Sequence, residues 1–551
     1  MSNDGAGLLV HFSQIRATTK HHHDVSNSEL YTTSKIDTLE VPSPISIFDK
    51  TEHIMPISRF LHRSPSSLPN ILIIITDQER AIQHWPESFS QQNLPSMERL
   101  KKHGMEFHQH YTNACMCSPS RATLLTSQFP VITGVTRTGS PGPPTALPTD
   151  IPNIATVMKQ AGYKHIEWYG KWHLGGTPVD YGFEGWQPPD AGNYLTINET
   201  LGGGDPNNDG RFLDEVCRFL NDHNAQQGEP FCVVVSFVNP HDVYVAQHQP
   251  ALGYTTEDFQ KVNVPLPTNL NEDPDRNNKP RAQGQMSYRY VTFDNTPQDY
   301  VSFYAYLHTM VDAQIGKLLD TLDRLDLTES TLIIRTADHG EQALSHSLVE
   351  KFYNCYEESI HIPLVISNPM AFPEAESTSE LTSHVDLLPT LARLCSVQDT
   401  MPFAKHSWKG RDLTSILENP NMTVTSEEKS TCKSKEMQSL YPKSYIHFTY
   451  DDIECPGAPS TIRCIQTCDY KYAVYFTPDG SDADWELYCR NTDPLENNNL
   501  AGNPNYALLQ VEMDQKLWYA MVDAGTLPQA FEWPPSSTMQ SRGSQHGPHV
   551  G

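Results

Sequence analysis

The run Asn70-Ile71-Leu72-Ile73-Ile74-Ile75-Thr76-Asp77 constrains this chain more than any other feature. It is short, unbroken, rich in β-branched residues and ends on polar ones. A strand with one solvated face would alternate, so an unbroken apolar run reads as a strand buried on both sides. Phe231 to Phe237, Thr331 to Thr336 and Pro363 to Ile366 repeat the pattern. Between them lie helical patterns, Ile154 to Ala161 and Tyr300 to Leu325. In the second, Val311, Ile315, Leu318, Leu319 and Leu322 line one face. Strands alternating with helices predict an α/β fold, a large and mainly parallel sheet sandwiched by helices. Sites in such sheets gather just past the strand C-termini, which draws attention to Asp77-Gln78 and Asp338-His339.

The 551 residues suffice for more than one lobe. Residues 1–66 lack periodicity, carry His21-His22-His23 and read as a flexible extension. The α/β domain is expected over 67–430. Shorter strand-like pieces such as Tyr472 to Phe476, then a helical run from Leu508 to Val522, predict a smaller C-terminal α+β subdomain over 431–525. A Pro/Ser/Gly-rich tail, 526–551, follows. The formal net charge of -27 argues against nucleic acid as a partner. It would also repel an anionic ester, so capture of one requires a local cluster of cations. No apolar run reaches bilayer length, and no secretory h-region is visible near the N-terminus, so a cytoplasmic setting is expected. Eleven cysteines without metal-finger spacing are expected to be mostly free thiols. Two glycosylation sequons, at Asn198 and Asn421, carry little weight alone.

Two carboxylates at neighbouring strand tips, Asp77 and Asp338, are material for a divalent cation site. Gln78 can add a carbonyl oxygen. His339 adds a nitrogen, which moves preference from Ca²⁺ or Mg²⁺ somewhat toward Mn²⁺. Taken alone, either Asp reads more often as a strand cap or the start of a turn than as a ligand.

The run Cys117-Ser118-Pro119-Ser120-Arg121-Ala122-Thr123-Leu124-Leu125-Thr126 changes that balance, because it closely resembles the signature of the type I sulfatases of the alkaline phosphatase superfamily. Gly170-Lys171-Trp172-His173-Leu174-Gly175, Phe237-Val238-Asn239-Pro240-His241, Ala337-Asp338-His339-Gly340-Glu341 and Lys351 before Tyr356-Glu357-Glu358-Ser359 resemble further family segments, in the expected order. Val385 to Thr390, Trp485 to Tyr488 and Asp493-Pro494 resemble landmarks of the C-terminal half. The resemblance implies an alkaline phosphatase-like fold and hydrolysis of sulfate esters. It implies that Cys117 is converted to formylglycine by a formylglycine-generating enzyme that reads Pro119 and Arg121. It implies one divalent cation, Ca²⁺ first, held by Asp77, Gln78, residue 117, Asp338 and His339. Attack by the hydrated aldehyde would give a covalent sulfated intermediate. Arg121 and Lys171 would hold the nucleophile, and His173 would take a proton in the release step. His241 and Lys351 would bind the ester and assist the leaving alcohol. The substrate class implied is a small-molecule or carbohydrate sulfate ester.

The sequence departs from the family at three places. Ser127 stands where Gly is usual, an expected source of slight crowding. Gln78 replaces a second Asp, and His339 replaces Asn. That pairing resembles the branch holding phosphonate monoester hydrolases and choline-sulfatase-like enzymes, so a phosphonate monoester or phosphodiester hydrolase is the alternative. A non-catalytic relative is disfavoured because every catalytic position carries a competent residue. A zinc phosphatase lacks its multi-zinc ligand set.

Overall fold

The computed structural model describes residue 57 and residues 68–533, apart from 82–83, 87, 139–145, 192–200, 227, 275–276, 288–295, 400–407, 421–444 and 453. The histidine triplet, both sequons and nearly all of the N-terminal extension lie outside the described residues. Ile57 is buried in the main core.

The large sheet contains β1 (Asn70–Asp77), β2 (Gly104–Phe107), β3 (His165–Gly170), β4 (Phe231–Pro240), β5 (Thr331–Ala337), β6 (Leu364–Ser367) and β7 (Glu376–Thr378). Their order is β3-β4-β1-β5-β6-β2-β7. The central strands β3, β4, β1 and β5 run parallel to one another. β6 is antiparallel to β5 and β2, and β7 returns parallel to β2. The mainly parallel expectation therefore holds for the strands that carry the site.

Successive side chains of a strand point to opposite faces, and β1 shows why its apolar run is unbroken. Ile71, Ile73 and Ile75 enter one core with α2 (Cys117–Thr126), α3 (Ile154–Ala161) and α6 (Leu387–Leu394). Leu72 and Ile74 enter the opposite core with α1 (Pro95–Lys102), α4 (Asn208–Ala225) and α5 (Pro297–Arg324). The stripe predicted on α5, from Val311 to Leu322, packs into that second core. Each fully buried Ile or Leu contributes roughly 1.5–3 kcal/mol, so the two-sided core anchors the sheet firmly.

The smaller sheet comprises β8 (Ile446–Tyr450), β9 (Thr461–Gln466), β10 (Tyr470–Phe476) and β11 (Ala483–Cys489), covered by α7 (Ala507–Ala524). Its strands pair antiparallel in sequence order. Its fifth strand was not foreseen. Ala114–Cys115 joins β8 in parallel, with Ala114 opposite Thr449 and Cys115 opposite Tyr450. Asn113 reinforces the join, its Nδ2 donating to the His447 carbonyl across 334 residues of sequence. The segment entering α2 is thus an edge of the C-terminal sheet.

Ser127 does not crowd α2. It closes the helix in the left-handed conformation, with φ 56, and its hydroxyl donates to the Val385 carbonyl at 2.5 Å. That bond offsets the cost of a non-glycine residue there. The described cysteines are free thiols. No helix among the described residues is long and apolar enough to cross a membrane.

Candidate active site

The four parallel strands deliver four functional residues to one edge of the sheet. Asp77 ends β1, Lys171 follows β3, His241 follows β4 and Asp338 follows β5. The β3 exit passes so close to β4 that a Cβ at Gly170, where φ is +99, would meet the Ser236 carbonyl oxygen. Only glycine allows Lys171 to leave the strand there. Across this edge lies the N-terminus of α2, with Cys117 as its first residue.

These side chains are buried and interlocked. Arg121 donates from Nη2 to Asp77 and from Nε to Asp338, both at 2.9 Å. Its Nη1 donates to the Lys171 carbonyl at 3.0 Å and to Ser236 Oγ at 2.8 Å. Lys171 Nζ lies 2.5 Å from Asp77 and 3.8 Å from Cys117 Sγ. One planar guanidinium therefore spaces two carboxylates, a task that Lys cannot perform. Burial by itself would raise Asp77, but the charges of Lys171 and Arg121 outweigh it and hold the carboxyl well below its usual range.

Asp77, Cys117, Asp338 and His339 offer donor atoms that all lie within 4.8 Å of one another. His339 Nδ1–H donates to the Gly340 carbonyl at 3.0 Å, which leaves the Nε2 lone pair facing Cys117 Sγ at 3.1 Å. Asp338 Oδ1 accepts from the backbone N–H groups of Gln78 and His339, at 3.0 and 2.8 Å. The oxygen and nitrogen donors suit a hard divalent cation. The thiol is the ill-fitting member, and an oxygen in its place would complete the set.

Gln78 links Lys351 to two carboxylates. Its Oε1 accepts from Lys351 Nζ at 2.6 Å, and its Nε2 donates to Glu341 and Glu350. Lys351 also pairs with Glu350 at 2.9 Å. An Asp at position 78 would confront two buried carboxylates, whereas the amide satisfies both while serving Lys351. Burial, then Glu350, pushes the Glu341 carboxyl up.

His173 and His241 are held by carboxylates that carry no signature in the sequence. Asp190 accepts from the backbone N–H of Trp172 and of His173, at 2.8 and 2.9 Å, fixing the Lys171 to His173 turn. Asp209 accepts from Val238 and Asn239, and Asp242 from Gly202 and Gly203, on either side of His241. Burial, followed by the charge of Lys171, holds both His173 and His241 well below the usual imidazole range. Both rings are neutral at physiological pH, which leaves His173 able to accept a proton.

Burial pushes the carboxyls of Asp209 up to about 7 and Asp242 up to about 6. A carboxyl raised by folding contributes stability in full below its unfolded value, here 3.8, and loses it as pH rises through the folded value. We therefore expect melting temperature to fall between about pH 4 and pH 7, and Asp209→Asn to flatten that slope. An unchanged slope in the variant would assign the titration elsewhere.

Comparison with known proteins decides the family. Residues 69–397 match the family model described as Sulfatase, and residues 345–523 match that of N-sulphoglucosamine sulphohydrolase, C-terminal. The chain belongs to the sulfatase family. As a sulfatase it is a sulfuric ester hydrolase, and the family generally uses a divalent metal and formylglycine. It is similar to a choline-sulfatase of Rhizobium meliloti (strain 1021), at 30% identity over 368 residues, 60% of this chain and 68% of that one. The sulfatase also shares its fold with a protein solved in complex with its substrate D-glucosamine-2-N,6-O-disulfate. There the TM-score is 0.66 at 22% identity, covering 83% of this chain and 98% of that one. A phosphonate monoester hydrolase from Silicibacter pomeroyi shares it too, with TM-score 0.62 at 20% identity over 84% and 96% of the two chains. The fold is alkaline phosphatase-like, as expected.

Proposed function

We propose that this sulfatase cleaves a carbohydrate or small-molecule sulfate ester with a formylglycine made from Cys117 and one divalent cation, Ca²⁺ first. The observation that carries the reading is Cys117 itself. Burial and the Asp77 carboxylate push its thiol up to about 12, so the unmodified side chain is a neutral thiol and a poor nucleophile. It nevertheless occupies the point where Lys171, His339 and Asp77 converge. When formed and loaded, the hydrated aldehyde and the cation would supply a nucleophilic hydroxyl of lowered pKa.

The remaining work falls to the chain's own groups. Asp77, Gln78, Asp338 and His339 would hold the cation, and the Gln78 backbone N–H also fixes Asp338. Arg121 keeps the two carboxylates apart and aligned. Lys171 holds the nucleophilic position by charge. His173, neutral and fixed by Asp190, accepts the proton whose loss expels sulfate. His241 and Lys351 bind the nonbridging oxygens, and the anionic ester draws a proton back onto His241 for the leaving alcohol. A formylglycine-generating enzyme serves maturation.

The test uses protein co-expressed with such an enzyme and compares initial rates on an aryl sulfate, an aryl phosphonate monoester and an aryl phosphodiester. The sulfate is expected to be fastest. A faster phosphorus ester would move the enzyme to the alternative, which the Gln78 and His339 pairing favours. Asp338→Ala is expected to lose bound metal as well as rate, read by elemental analysis of the purified protein. Full occupancy in that variant would remove Asp338 from the ligand set.

A further inference from the structure

The turn that carries His241 holds an aromatic residue that the reaction leaves unused. His241 opens a 3-10 stretch, His241–Leu252, with three residues per turn, so positions 241 and 244 stand on the same face. The rings of His241 and Tyr244 accordingly lie nearly parallel, with centroids 6.2 Å apart and planes 28° apart. They differ in depth, since His241 is 4% exposed and Tyr244 is 44% exposed. Every other residue from 241 to 246 is buried, and Asp242 pins the turn to the backbone of Gly202 and Gly203. Tyr244 is therefore a rigidly mounted ring at the rim, one turn outward from a group that meets the ester oxygen.

We propose that Tyr244 is the platform for the alcohol half of the substrate, and that this half is a sugar ring. The inference rests on the sulfate ester reading above. An ester whose oxygen meets His241 has its carbon side directed outward along the same face, against the Tyr244 ring. A flat aromatic face takes the C–H face of a pyranose, and its hydroxyl edge reaches a sugar hydroxyl. A small quaternary ammonium fits less well. It needs several rings or a carboxylate with charge to spare. Glu350, the nearby carboxylate, is already paired with Lys351 at 2.9 Å.

The experiment measures kcat and KM of wild type, Tyr244→Ala and Tyr244→Phe on D-glucosamine-2-N,6-O-disulfate and on choline sulfate. In Tyr244→Ala, the ratio of the sugar KM to the choline KM is expected to rise about tenfold, the loss appearing in KM rather than kcat. Tyr244→Phe, which keeps the ring, is expected to restore the ratio to within about threefold of wild type. An unchanged ratio overturns the platform while the sulfatase reading stands. So does an equal fall of kcat on both esters, which would place Tyr244 behind His241 as a support. A larger loss on choline sulfate overturns the sugar assignment. A wild type active on an aryl sulfate but inert toward the sugar sulfate overturns the sugar assignment while the sulfatase reading stands.

Discussion

Cys117→Ala is expected to reduce turnover by on the order of 10⁵-fold, because it removes the only atom from which the nucleophile is built. The fold should survive. Cys117 is fully buried, but the change deletes a single Sγ whose contacts with Asp77, Lys171 and His339 belong to the site rather than to the apolar core. The stability cost is about 1–2 kcal/mol. The two readouts together make the result informative: initial rate on an aryl sulfate, and melting temperature in the same buffer. Turnover near wild type would end the formylglycine proposal, since alanine admits no such chemistry. Mass spectrometry of the wild-type peptide provides a second check, because conversion of thiol to aldehyde changes its mass.

Arg121→Ala is expected to have the largest effect on stability, about 3–5 kcal/mol, with activity lost as well. Arg121 is buried with both of its carboxylate partners, at 3% exposure against 0% for each. Removing it leaves two ionised groups facing each other without the fork that separates them. Lys171 still reaches Asp77 in the variant, so the uncompensated charge falls mainly on Asp338. Arg121→Lys should recover only part of the loss, because one ammonium cannot bond two carboxylates, a carbonyl and a hydroxyl at fixed angles. Urea denaturation of the three proteins measures this directly. A change below about 1 kcal/mol for Arg121→Ala would mean that the site relaxes around the gap or admits water.

The legible part of this protein is the part governed by short-range pattern. Buried strands announce themselves by unbroken apolar runs, and Asp77, Lys171, His241 and Asp338 each stand at a strand exit. The order of motif segments then ties Cys117, Arg121 and Lys351 to the same place. What could not be read is what depends on how distant segments cross. Asp190 follows two prolines and looks like any turn residue, yet it fixes the His173 loop. Glu341 and Glu350 lie far from Gln78 in sequence, and nothing local reveals that both carboxylates meet its amide. β6 is as apolar as its neighbours, and nothing in an apolar run reveals its direction. Ala114–Cys115 is too short to carry any pattern, so its place in the C-terminal sheet was invisible.

That last pairing bears on how the molecule is made. All ten residues from Cys117 to Thr126 are buried in the finished structure, Pro119 and Arg121 among them. On the formylglycine proposal, an enzyme that grips those side chains to alter Cys117 would have no access to them after closure. The strand just ahead of them waits for Thr449 and Tyr450, which leave the ribosome long after it does. During synthesis the segment is therefore exposed while most of the chain is still being added. Arrival of the C-terminal sheet would end that interval, which would make the last fifth of the polypeptide a timer for maturation of Cys117.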